Sequence, residues 1–163
     1  MWRYAVSAEL NAAEMLDRAE TATGLSDYGD PTLPARFGVT VDHLNDIGMA
    51  EDGRRSAIDV CHGLLTSRLE FFEDRNRYPV ADETIERPMF VTGEPRSGTT
   101  LMHALMSVDP GGRALRFWEV MYPSPPPGLA DADDPRRARA DADWREINAK
   151  MPKWLRSHPY NDM

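Results

Sequence analysis

The chain has 163 residues, 27 acidic against 19 basic side chains and a net charge of -8. That length is one domain or slightly more, and that charge excludes a broad nucleic-acid-binding face while leaving room for a local anion site. The single cysteine, Cys61, excludes an intrachain disulfide, and no run approaches the 18 apolar residues of a membrane span.

The N-terminus, "MWRYAVSAEL", reaches Glu9 without an apolar run and is no signal peptide. With the absence of disulfides, this makes a cytoplasmic setting the expectation. Residues 11–23 read as an amphipathic helix: Asn11 caps it, Ala12, Met15, Leu16, Ala19 and Ala22 form one stripe, and Gly24 ends it. "SDYGDPTLP" is a loop. Phe37, Val41, Leu44 and Ile47 suggest a second helix, against which Gly38 and the Val-Thr-Val run count. A third has Ile58, Cys61, Leu65, Leu69 and Phe72 at spacings of three and four, and it stops near Tyr78-Pro79. No chemical cluster falls on these helices, so residues 1–85 are expected to be a helical lobe.

At Pro88 the pattern changes. "PMFVTG" is a short apolar run between proline and glycine, the signature of a buried strand over 88–93. "TTLMHALMSVDP" continues as a helix, with Leu101, Leu105 and Val108 on one face. Between them lies "GEPRSGTT", a glycine-rich turn from strand to helix. "RALRFWEVMYPSPPPGL" is extended or turning, with 114–122 as an alternative second strand, and the proline run shapes a pocket mouth. "ADADDPRRARADADWREINAKM" reads as a charged helix with Trp144, Ile147 and Met151 on its apolar side; Trp144 and Trp154 are expected in the core. A parallel-type strand at 88–93 requires partners. The chain is therefore expected to be the N-terminal part of a longer α/β protein.

The turn has the physics of an oxyanion site. A helix N-terminus offers free backbone N–H groups and the positive end of its dipole. Gly98 permits close backbone approach, Ser97, Thr99 and Thr100 add hydroxyls, and Arg96 adds a charge that can bond two oxygens. A nucleotide-triphosphate loop carries Lys after its second glycine. Here Thr99 stands there, and the next lysine downstream is Lys150. That pattern suits a single 5′-phosphate better than a triphosphate clamped through Mg²⁺.

"VTGEPRSGTTLMHALMSVDP", followed by "LRFWEVMYPSPPP" and a polar helix, resembles sulfotransferases of a bacterial branch with a helical N-terminal lobe. The resemblance covers roughly residues 10–160. It implies a truncated α/β, P-loop-like sulfotransferase fold, a parallel sheet flanked by helices, with residues 86–163 as its first part. It also implies 3′-phosphoadenosine 5′-phosphosulfate (PAPS) as co-substrate and no metal. Arg96, Ser97, Gly98, Thr99 and Thr100 would hold the 5′-phosphosulfate, with Arg96 also acting in catalysis by neutralising charge on the bridging oxygen. Leu101 stands where many cytosolic relatives have tryptophan, so no adenine platform is assigned there. The 3′-phosphate contacts of the family would lie beyond Met163. Glu119 follows Thr100 by 19 residues, about where several branches carry a catalytic glutamate, and it is the expected base, with His103 as the other candidate. Arg113 and Arg116 are expected to be solvated or bridging charges. The acceptor would be a hydroxyl or amine of a small molecule, glycan or lipid, with no nucleic acid involved. The alternatives are a P-loop kinase or an inactive remnant.

Overall fold

The computed structural model describes residues 9–126 and 134–150. It divides into two compact units, Met1–Ala81 and Asp82–Met163.

The first unit contains α1 (Ala12–Thr23), α2 (Leu33–Asp46) and α3 (Glu51–Arg77). Asn11 caps α1 as its type favours: its side-chain oxygen accepts from the N–H groups of Ala13 at 2.9 Å and Glu14 at 3.2 Å. Gly24 ends the helix in the left-handed conformation, φ 70°. Met15 and Ala19 of the expected stripe are buried and Ala12 and Leu16 partly so, while Ala22 is exposed. Helix α2 forms despite Gly38 and the β-branched run, because Val41 is 1% exposed inside the core, where burial outweighs weak propensity. The long α3 supplies Ile58, Leu65 and Leu69 to the same core.

Polar contacts fix the connections. The Asn45 side chain pairs with both backbone groups of Leu10, at 2.9 and 3.0 Å. The Arg68 guanidinium donates to the carbonyl of Tyr28 at 2.8 Å and lies over the Phe72 ring. Gly29 has φ 70°, and a Cβ there would fall 1.9 Å from the Phe72 ring, so no other residue fits without movement. Cys61 is half-buried against the core, and burial pushes its thiol pKa up, as suits a packing thiol.

A short 3-10 turn, Val80–Asp82, separates this region from the next. The second unit contains α4 (Thr99–Met106), α5 (Phe117–Met121) and α6 (Pro135–Lys150). The buried strand expected over 88–93 is not formed: the segment has no regular secondary structure, and Met89 and Phe90 are 74% and 84% exposed. A strand exists through its ladder, and no strand is present among the described residues to pair with it. Residues 117–121 are a helix, not the alternative strand. Helix α4 forms but ends at Met106, short of Val108, and Leu101, Leu105 and Val108 are all exposed.

Helix α5 packs on α6. Phe117 meets Trp144 edge-on, ring centroids 5.3 Å apart. Asp134 starts α6 by accepting from the N–H of Arg136 at 2.9 Å, ahead of Pro135 in the first turn. Met151, Trp154 and the end of the proline run lie outside the described residues.

Candidate anion loop and adjoining cavity

The loop is built around one tight turn. The N–H of Ser97 donates to the carbonyl of Glu94 at 3.1 Å, placing Pro95 and Arg96 at the turn's central positions. Pro95 presets the first; the second adopts φ 68°, a position glycine usually takes. Holding arginine in that left-handed region costs about 1–2 kcal/mol. The cost is consistent with a side chain needed for its charge. Gly98 follows with φ 88° as the N-cap of α4, and its carbonyl accepts from Met102 N–H at 3.0 Å, which starts the helix.

The loop's concave side depends on Gly93. A Cβ there would lie 2.7 Å from Ser97 Oγ and 3.2 Å from Thr99 Cγ2. Ser97 and Thr99 therefore fold over the same hollow, beside the unpaired N–H groups at the start of α4. Arg96, Ser97 and Gly98 are exposed, Thr99 and Thr100 half-buried. Among the described residues the Arg96 guanidinium makes no hydrogen bond or ion pair. The five residues expected to hold an anion are thus gathered on one turn: backbone donors, three hydroxyls and one cation.

Glu119 and His103 line one cavity of about 550 Å³, with Ser107, Val108, Arg113 and Leu115. The wall from α4 belongs to the helix that the loop caps. Glu119 is 8% exposed at the third position of α5. Its Oε2 accepts from the N–H of Arg116 at 2.8 Å, the reach-back half of a capping box. Its Oε1 accepts from the Arg113 guanidinium at 2.9 Å.

Of the two roles expected for Arg113, solvated or bridging charge, the structure shows the bridging one, to Glu119 in the cavity wall. One feature had escaped the sequence. Arg136, in the charged helix, is 8% exposed and lies over the Trp118 ring at 4.8 Å. It donates to both oxygens of Asp134 and to the carbonyls of Tyr122 and Pro125, at 2.9 and 2.6 Å. This clamps the segment after α5 to the start of α6. The Asp134-Pro-Arg136 sequence, an N-cap acid followed by an arginine two residues on, was the available signal. His43 and His62 gather no metal partners, and among the described residues no group of three His, Cys, Asp or Glu could hold a metal ion. No helix among them is long and apolar enough to cross a membrane.

The turn at the N-terminus of α4 offers donors to an oxyanion, and the same helix supplies part of the wall of the cavity that holds the buried Glu119. The comparisons name the class. Residues 88–163 match the model of a sulfotransferase family. The crystal structure of sulfotransferase STF1 from Mycobacterium tuberculosis H37Rv is similar, with 32% sequence identity and a TM-score of 0.70 over 88% of this chain. No curated protein matches the sequence. Both comparisons support assigning the chain to the sulfotransferase family, and its fold is similar to the corresponding part of that structure. It spans 41% of the length of the mycobacterial structure. The kinase alternative is not favoured.

Proposed function

We propose that this chain carries the 5′-phosphosulfate-binding part of a sulfotransferase that uses PAPS to sulfate a hydroxyl or amine of a small molecule, glycan or lipid. The loop geometry carries the proposal. Gly93 leaves the hollow open, Gly98 turns the chain into α4, and Arg96, with no hydrogen-bond or ion-pair partner among the described residues, adjoins the hydroxyl-bearing residues Ser97, Thr99 and Thr100 in the chain. Residues 1–85 would form the helical lobe, and residues 86–163 the first part of a P-loop-like α/β domain. In that domain, 88–93 would become a parallel strand once paired, consistent with the exposed Met89 and Phe90.

PAPS supplies an activated sulfuryl group. Ser97, Gly98, Thr99, Thr100 and Arg96 would bind its 5′-phosphosulfate. The acceptor oxygen or nitrogen attacks sulfur and forms a new bond to it as the bond from sulfur to the bridging oxygen breaks. The electron pair leaves on the 5′-phosphate of 3′-phosphoadenosine 5′-phosphate, and Arg96 neutralises that charge. The acceptor's proton passes to the Glu119 carboxylate. No step calls for a metal.

The test is a thermal melt of the protein with 3′-phosphoadenosine 5′-phosphate, beside ATP with Mg²⁺. The adenosine bisphosphate at 100 times its Kd adds about 2.7 kcal/mol of stability without metal. Arg96→Ala abolishes most of that gain. Stabilisation by ATP alone, dependent on Mg²⁺ and indifferent to Arg96→Ala, would return the site to the kinase class.

A further inference from the structure

We propose that Arg113 is a positioning residue for Glu119: its guanidinium holds the carboxylate in place in the wall of the cavity between α4 and α5 and sets a positive charge against it. The proposal rests on Glu119 being the base, and it adds a partner that this role requires.

A carboxylate can take a proton only while ionised, and burial opposes ionisation unless a cation or donors compensate. The Glu119 side chain is 7% exposed. Its two oxygens have one described partner each, and the two differ in kind. Arg116 gives a backbone N–H, which any residue but proline would supply at that position. Arg113 gives a charged side chain at 2.9 Å. The backbone bond orients the carboxylate, and the guanidinium supplies the charge. Removing Arg113 would leave a buried acid with one neutral donor.

The other charged groups nearby do not replace it. His103 faces the same cavity from α4, and the Arg116 side chain lines it. From α6, Arg136 and Arg137 lie over the ring of Trp118, at 4.8 and 5.1 Å, and Arg136 is committed to Asp134. Arg113 is the one cation bonded to Glu119 among the described residues. Its own side chain is 60% exposed. It is therefore held by the carboxylate more than by packing, and it can adjust when Glu119 accepts a proton and loses its charge. The pairing reaches from the third residue of α5 back to the irregular segment before it, so Arg113 itself belongs to no helix or strand.

The experiment has two readouts. The first is a carbon-13 NMR titration of the Glu119 side-chain carboxyl, assigned by its loss in Glu119→Gln. The second is the pH profile of kcat/KM for PAPS-dependent sulfation of 2-naphthol. Arg113→Ala moves the carboxyl titration midpoint and the acid limb of the profile upward together, and Arg113→Lys restores most of both. Arg113→Gln, which keeps the length and a neutral donor, gives the same upward shift and stands in should the alanine variant fail to fold. A midpoint and acid limb that stay in place in both uncharged variants overturn the proposal. The underlying base assignment fails separately: it is lost if Glu119→Gln retains wild-type kcat, whatever Arg113 does.

Discussion

Residues 9–81 and the described residues beyond them are held together by different physics. The first region closes on eight buried hydrophobic side chains, from Leu10 to Leu69, drawn from three helices and their connections. It leaves Val60 and Leu64 of α3 exposed, yet its interior is apolar. The second buries Trp118 and Ala140 among its described hydrophobics, while Phe90, Leu101, Leu105, Val108 and Val120 are exposed. The other buried residues described there are Glu119, Asp134 and Arg136. Apolar burial is non-directional and roughly additive in area. Buried charges are stable only with their partners in place, and removing one partner strands the other. One region should therefore weaken gradually on substitution, and the other should fail at particular bonds.

The largest effect is expected in the first region. Leu69 is fully buried in α3. Leu69→Ala should cost about 3–4 kcal/mol, the transfer of the lost methyl groups plus the cavity left behind. Segment-resolved hydrogen exchange checks it. Protection should fall across α1, α2 and α3 together and remain over α5 and α6. A loss that spread equally to α5 and α6 would show that the two regions unfold as one.

The converse test is Arg136→Met. The substitution keeps the stem over Trp118 and removes the donors to Asp134 and to the carbonyls of Tyr122 and Pro125. Exchange should rise about tenfold or more across 117–126 and the first turn of α6, since bonds to charged groups are the stronger kind and their loss leaves acceptors buried. Helices α1–α3 should be unaffected. Equal protection in the variant would mean that packing of Phe117 on Trp144 suffices without the clamp.

The same contrast explains what was legible in the sequence. Helices α1 and α3 announced themselves because an apolar core demands a period of 3.6, and Met15, Ala19, Ile58, Leu65 and Leu69 obey it. Helix α2 was half-hidden because Gly38 and Val39 speak against it locally, and only the burial of Val41 decides. The loop was legible because its glycines mark local constraints, the left-handed backbone at Gly98 and the close approach of the Ser97 and Thr99 side chains at Gly93. The strand expected over 88–93 is not formed, because its pattern encodes a sheet that no described segment completes. The Arg113–Glu119 and Arg136 bonds were invisible for another reason. They connect side chains to groups 6, 11 and 14 residues away, at separations that no helical or strand period marks.

Acid should separate the two regions by a smaller margin but in a definite order. In the first, burial chiefly, with help from the Arg18 charge, lowers the pKa of His62 below that of a free histidine, against the opposing pull of Asp59. The unfolded chain then takes up that proton more readily than the folded one. The stability this neutral imidazole contributes is present above about pH 6.5 and is lost as pH falls through that value toward the lower folded one. In the second region, the hydrogen bond from Arg136 chiefly lowers the pKa of the Asp134 carboxyl. Its contribution persists throughout the range in which His62 titrates and is lost only as pH falls below the ordinary carboxylate value, near pH 4. Between pH 7 and 5, exchange should therefore quicken slightly over α3 around His62 and not at the start of α6. His62→Gln should flatten the first response and leave the second, below pH 4, unchanged. If α6 loosened first, the Asp134–Arg136 pair could not be what holds it.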